Sequence, residues 1–403
     1  MELGDIISCR SENCPPDKDA ECCKKLARAE SLYRVGLALC STLRLEDTIE
    51  VVVEQAMGVV EAEAGTLWLL EEDEGGEEYL LPYVARGPKA VKLKEMRLKR
   101  GEGIAGTVVQ EGRPLLVPDV QGDPRWASRF DSATGFKTRS LLCVPLSGKT
   151  GVLGCLQVLN KRGCRQFSDD DLVLASAFAA QAALAIENSL LYTNQRKLYL
   201  SLIRTLSSAL DARDPYTRGH SERVSRYALL LGREIGLRRD DLELLEQAAL
   251  LHDIGKIGIR DSVLLCPGPL DEDSWRELKR HPVIGASIIG EMEPKKLVCK
   301  VVKGALYHQE RFDGKGYPEG KCGKEIPLFA RIIAIADAFD AITSERPYRP
   351  ARDFSQAISE IRRCAGSQFD PRLAEIFCEV ISREYGISGC DGGSPGSCQK
   401  GGT

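Results

Sequence analysis

Histidine is scarce in this chain: four residues in 403, all between positions 220 and 308. Basic residues are not in excess, with 55 Lys and Arg against 59 Asp and Glu and a net charge of -4. That balance excludes the broad basic footprint of a nucleic-acid-binding protein, while leaving room for a small basic pocket. No uncharged apolar run reaches the length of a membrane span, so membrane insertion is not expected. The N-terminus, Met1-Glu2-Leu3-Gly4-Asp5, lacks the basic-then-apolar pattern of a signal peptide. A cytoplasmic protein is expected.

What is present is core-forming material, 43% hydrophobic residues, over a length that suits two or three domains. The 15 cysteines are many for such a chain, and reduced thiols are the default without an export signal. Nine stand singly, mostly in apolar surroundings where Cys behaves as a small hydrophobe (Cys40, Cys143, Cys155, Cys164, Cys266, Cys299, Cys322, Cys364, Cys378). Cys9, Cys14, Cys22 and Cys23 cluster near the start in a spacing that fits no standard metal-ligand pattern.

Residues 1–22 are polar and read as unstructured, and 23–44 as a helix. Ile49, Val52, Val53, Met57 and Val60 mark a second helix. The apolar period then shortens to that of strands: Gly65–Leu70 and Tyr79–Val84 around a Gly75-Gly76 turn, Pro114–Val117, and a hairpin of Arg139–Leu146 with Val152–Leu159. A short helix opens at Gly101–Gly106. Ser168-Asp169-Asp170-Asp171 suits the start of a long helix. Helix, strands, hairpin and closing helix describe an α+β sensor module. Residues 45–190 resemble a GAF domain on the stretches Gly101–Gly106, Val117–Val120, Ser140–Leu146 and Gly154–Asn160. The resemblance implies a small-molecule ligand without naming it. Asn160, Lys161, Phe167 and Asp170 echo a motif of cyclic-nucleotide-binding members, but a turn followed by a helix cap accounts for them. Leu190, Leu198, Leu202, Leu206 and Leu210 then run on at helical spacing with no Gly or Pro, so 191–212 reads as a helical linker able to pair with its copy in a homodimer.

From 213 to 387 the patterns are helical, making this an all-α region, and 388–403 reads as a disordered tail. His220 follows Gly219 at a helix start, His252-Asp253 ends the apolar run 248–251, His281-Pro282 opens a helix, and His308 ends another. Asp337 interrupts the apolar helix Ile333–Ala338. Imidazoles and carboxylates are the ligands of iron, manganese and zinc, and one Asp can bridge two ions. Such a pair lowers the pKa of a shared water and clamps a phosphoryl group for in-line attack.

Residues 200–385 resemble an HD-GYP domain. The motifs are Asp214–Ser221, Leu251–Ile257, His281–Gly285, Asp313–Pro318, Ile326–Ile332, Asp337–Thr343, Arg346–Arg349 and Gln368–Pro371. The resemblance implies two divalent ions, iron or manganese, on His220, His252, Asp253, His281, His308 and Asp337, with Asp253 bridging. It implies that Lys256, one helical turn past His252, faces a substrate phosphate and that Arg346 and Arg349 contact phosphates. Tyr317 shapes the loop over the site, with Gly314 and Gly316 supplying backbone freedom. Asp253 and Lys256 are the implied catalytic residues. Two positions depart from the pattern. Gln309 stands where a second histidine is usual, and Tyr216 stands where three-metal members carry Glu. The implied function is hydrolysis of cyclic-di-GMP to pGpG and possibly GMP under control of the GAF sensor. The alternative is a weakened domain that binds cyclic-di-GMP as a receptor or scaffold.

Overall fold

The computed structural model describes residues 44–387 apart from 74, 88–95, 128, 165, 214–218 and 345–351. The expected helix at 23–44, the Cys9/Cys14/Cys22/Cys23 cluster and the tail 388–403 lie almost wholly outside the described residues. Two compact units divide between Arg196 and Lys197.

The first unit is built on helix α1 (Leu45–Val59) and strands β1 (Ala62–Glu72), β2 (Glu78–Arg86), β3 (Leu98–Lys99), β4 (Leu115–Val117), β5 (Leu141–Ser147) and β6 (Val152–Lys161). The strands form one antiparallel sheet in the order β3-β2-β1-β6-β5-β4. Strand periodicity sends alternate residues to opposite faces. Leu67, Leu69, Leu142, Val144, Leu156 and Val158 pack on α1 and on the long helix that follows β6. Trp68, Leu141, Cys143 and Cys155 face the other way, onto helix α2 (Gly103–Glu111). A short helix α3 (Arg129–Thr134) lies in the long β4–β5 connection.

Helix α4 runs unbroken over Asp169–Arg213, 45 residues. Ser168 and Asp171 exchange hydrogen bonds at its start, and Lys161 pairs with Asp171 at 2.6 Å. The cap thus uses Asp171 where the sequence suggested Asp170. Asn160 accepts from the Arg139 and Ser140 amides and donates to the Lys137 carbonyl, a turn-fixing role. Helix α4 contains an uncharged stretch, residues 172–186, shorter than a membrane span. By length and composition it alone among the described helices suffices to cross a membrane, with 44% of its apolar window buried. Phe178, Ala179, Ala182, Ala183 and Ile186 account for much of that apolarity by packing on the sheet.

The second unit is helical: α5 (His220–Glu234), α6 (Arg239–Leu251), α7 (Asp261–Leu264), α8 (Glu272–Leu278), α9 (His281–Gly290), α10 (Lys295–Tyr307), α11 (Leu328–Thr343), α12 (Phe354–Arg363) and α13 (Pro371–Glu384). Its core takes in Ile203 and Leu210 from the end of α4 with Leu231, Leu245, Val301, Ile332 and Ile335. Phe339 sits at the centre, edge-on to Tyr227, Phe354 and Phe377 at 5.0–5.2 Å.

Between α6 and α7 a 3-10 turn, Ile254–Gly258, presses against the start of α9. Gly255 makes that approach possible, since a Cβ there would lie 1.9 Å from the His281 carbonyl oxygen. Gly255→Ala should therefore push the turn off α9 and cost about 1–3 kcal/mol of stability, the usual penalty of overpacking. Thermal unfolding should show a lowered midpoint for the helical unit; an unchanged midpoint would refute the close approach.

Candidate metal centre

Three of the four imidazoles sit where a helix runs out of hydrogen-bond partners. The last carbonyls of a helix have no amide four residues on. His252 Nδ1 bonds the Ala249 carbonyl at 2.7 Å and His308 Nδ1 the Ala305 carbonyl at 2.7 Å, at the ends of α6 and α10. His281 Nδ1 bonds the Leu278 carbonyl at 2.8 Å, at the end of α8. A carbonyl only accepts, so each Nδ1 carries a proton, and each Nε2 presents a lone pair whenever its ring is neutral. His220 reaches the same state by another route: its Nδ1 lies 2.8 Å from Asp340 Oδ2.

The four Nε2 atoms converge on Asp253. His281 and His308 face its Oδ1 at 3.4 and 3.8 Å, and His252 and His220 face its Oδ2 at 3.4 and 3.9 Å. One carboxylate thereby divides four imidazoles into two pairs. Asp337 Oδ1 lies 3.4 Å from His220 Nε2. The four histidines and Asp253 are all buried.

This donor set fits cations. His281 Nε2 and His308 Nε2 stand 3.3 Å apart, two acceptors with no proton between them. His252 Nε2 is buried without a hydrogen-bond partner. Such groups are costly unless something positive joins them. The electrostatics agree. Burial works against charge on His252, yet Asp253 and Asp337 lift its pKa to about 9. His281 and His308 are pushed down, by burial first. Burial opposes ionisation of Asp253 too, but Lys256 and the imidazoles hold it well below the usual carboxylate range.

Lys256 departs from expectation. Helix α6 ends at Leu251, and Lys256 lies in the 3-10 turn, not one helical turn along the same face. Its Nζ is 2.5 Å from Asp253 Oδ2, so it competes with any cation held by that oxygen. Gln309 points into the cleft, its Nε2 3.4 Å from Asp337 Oδ2. Tyr317 also lines the cleft. Burial, then the Asp253 and Asp337 charges, raise its hydroxyl pKa, keeping it a donor. Gly314 has φ +78°, as its role in a turn requires. Gly316 does not take a positive φ; it is needed because a Cβ would lie 2.3 Å from the Arg311 amide. Arg346 and Arg349 lie outside the described residues, as does Tyr216.

The sequence reading missed four supports. Asp340 holds His220 and is itself gripped by Arg223 at 2.7 Å. Burial opposes its ionisation, but His220 and Arg223 keep its pKa low. A second carboxylate one turn past Asp337 in an apolar helix was the available signal. Glu310 is buried and accepts from the Glu319 and Gly320 amides, fixing the loop that carries Tyr317. Arg213 braces the 3-10 turn by donating to the Lys256, Ile257 and Ile259 carbonyls. The cysteines were misread in part: Cys143, Cys155 and Cys378 are buried, but Cys266, Cys299 and Cys322 are exposed, and none of the seven described forms a disulfide.

The first unit contains a separate hollow of about 710 Å³, mouth included, on the Trp68 face of its sheet. Trp126, Phe130 and Phe136 line it with Thr138 and Gln157.

Comparison with known proteins gives both halves a family. A GAF domain model matches residues 44–186 and an HD domain model residues 204–373. The chain is 40% identical over 197 residues to the cyclic di-GMP phosphodiesterase response regulator RpfG of Xanthomonas campestris, a match covering 48% of this chain and 52% of that one. It is 42% identical over 174 residues to 3'3'-cGAMP-specific phosphodiesterase 3 of Vibrio cholerae, covering 43% and 37%. A cyclic di-GMP phosphodiesterase of Thermotoga maritima is 35% identical over 189 residues, covering 47% and 51%. The chain thus spans about half or less of the length of these relatives. The chain carries a GAF domain followed by an HD domain of the HD-GYP type.

Proposed function

We propose that the HD domain is a metal-dependent phosphodiesterase that hydrolyses cyclic-di-GMP to pGpG, and that the GAF domain regulates it as a cytoplasmic sensor. The observation carrying this is the division of four imidazole Nε2 atoms between the two oxygens of Asp253. In this reading His220, His252, Asp253, His281, His308 and Asp337 hold two divalent ions, iron or manganese. The ions supply Lewis acidity and an activated water at neutral pH.

The chain's own groups do the rest. The carbonyl-bound Nδ1 atoms and Asp340 fix each imidazole in its tautomer and orientation, a role worth roughly 10–100-fold in metal affinity per partner. Lys256, whose Nζ lies beside Asp253 Oδ2 at the cleft, would offer its ammonium to a substrate phosphate. The protonated Tyr317 hydroxyl donates to a phosphate oxygen. Arg346 and Arg349 extend the anion site. Gln309 gives Asp337 a hydrogen bond in place of an imidazole, which leaves one ion with a weaker set of ligands. That favours a second reading, a receptor that binds cyclic-di-GMP without cleaving it.

The purified chain supplied with Mn²⁺ or Fe²⁺ should convert cyclic-di-GMP to pGpG. Asp253→Ala should reduce turnover by more than the ~10–100-fold that loss of an outer partner costs, and should lower bound metal. Binding without turnover at every metal concentration would replace the enzyme by the receptor; full activity in Asp253→Ala would remove the metal mechanism.

We also propose a homodimer paired along α4, within a scheme of sensor 45–190, linker 191–212 and effector 213–387. Val173, Leu184, Leu191, Leu198, Leu202 and Leu206 recur at spacings that keep them on one side of the helix, and all are exposed. Leu184, Leu191 and Leu198 are seven apart, the repeat by which a helix meets its copy. Sedimentation should give a dimer at micromolar concentration and a monomer for the Leu191→Glu, Leu198→Glu double variant. A monomeric wild type would overturn the pairing.

A further inference from the structure

The cleft at the candidate metal centre encloses about 1680 Å³ with its open mouth included, and it extends beyond the histidines to Trp275 and Lys279. A row of rings leads outward from the centre along one wall. His281 meets Tyr317 edge-on, with centroids 6.4 Å apart. Lys279 Nζ lies 5.4 Å from the Tyr317 ring centre and 5.5 Å from that of Trp275. Trp275 lines the cleft yet remains 47% exposed.

The wall is a fixed support. Trp275 lies on α8, whose N-cap Asp271 accepts from the Ser274 amide at 2.7 Å. Glu277, on the same helix, is held by Arg260. Lys279 follows directly, its amide bonded to the Trp275 carbonyl at 3.1 Å. Lys279 forms no ion pair with any described carboxylate. The indole is 47% exposed at the cleft, and the Lys279 ammonium meets two rings but no described carboxylate, which leaves both able to meet a ligand.

Their chemistry suits a purine. Every base has a π-face that stacks on an aromatic ring. A guanine edge presents two adjacent acceptors, O6 and N7, to a cation, whereas adenine puts an N6 donor beside N7. We propose that Trp275 and Lys279 form a guanine-recognition subsite, the indole stacking on the base and the ammonium bonding O6 and N7. This rests on the reading of the HD domain as a cyclic-dinucleotide phosphodiesterase and adds the element that selects guanine.

The test uses the full chain with Mn²⁺ and three substrates: cyclic-di-GMP, cyclic-di-AMP and the base-free ester bis(4-nitrophenyl) phosphate. Trp275→Ala should lower kcat/KM for cyclic-di-GMP by ~10-fold or more, mainly through KM, as loss of one stacked base does. Its loss on the base-free ester should be at least ~10-fold smaller, and Trp275→Phe should restore most of the difference. Lys279→Met should narrow the preference for cyclic-di-GMP over cyclic-di-AMP. Equal losses on both ester types, no loss, or an unaltered preference in Lys279→Met would overturn the subsite while leaving the phosphodiesterase standing. If the wild type cleaves the base-free ester but neither binds nor cleaves a cyclic dinucleotide, the substrate reading fails and the subsite with it.

Discussion

A carboxylate buried among four imidazoles governs the second unit. Asp253 is 6% exposed and would lose several kcal/mol of hydration if left alone. Lys256 and the surrounding imidazoles hold it ionised, and they crowd because four helices, α5, α6, α9 and α10, bring the imidazoles to one point. The same crowding leaves lone pairs facing each other, notably between His281 and His308. Removing any one side chain would leave the others less well compensated. A bound cation would relieve that crowding, and in the proposed reading stability and metal affinity would be coupled.

The helices solve two problems with one contact. A helix ends with carbonyls that need donors, and a metal-binding imidazole needs its remote nitrogen protonated. In α6, α8 and α10 the imidazole Nδ1 serves both needs. Each histidine must then stand just past a helix end, which is where three of them occur. His220 opens a helix instead, so it requires a separate acceptor, and Asp340 with Arg223 supplies one. The 3-10 turn that follows Asp253 fits against α9 only because Gly255 has no side chain.

Much of this was legible in the sequence because it lay in local patterns. Short apolar runs bounded by turn residues mark β1, β5 and β6, and the uninterrupted leucines mark the second half of α4. The histidines and aspartates that converge were visible as polar residues at the boundaries of apolar helices. What was not legible depends on contacts between distant segments. Lys256 looked like the next turn of a helix, since nothing local shows that α6 stops at Leu251. Gly316 looked like a flexible turn, but its constraint comes from the Arg311 backbone pressing on it. The Ala-rich start of α4 is apolar because a sheet covers it, a fact outside the helix's own sequence. Glu310 and Arg213 act on backbone atoms of other segments, and no spacing rule points to them.

The central claim is the proposal that Asp253, with one pair of imidazoles beside each of its oxygens, would help hold two cations. Anomalous diffraction from crystals of the full chain grown with Mn²⁺ tests it directly. The account predicts two peaks, one toward His220 and His252 and one toward His281 and His308, with Asp253 between them. A single peak away from Asp253, or none with Mn²⁺ in excess, would contradict it.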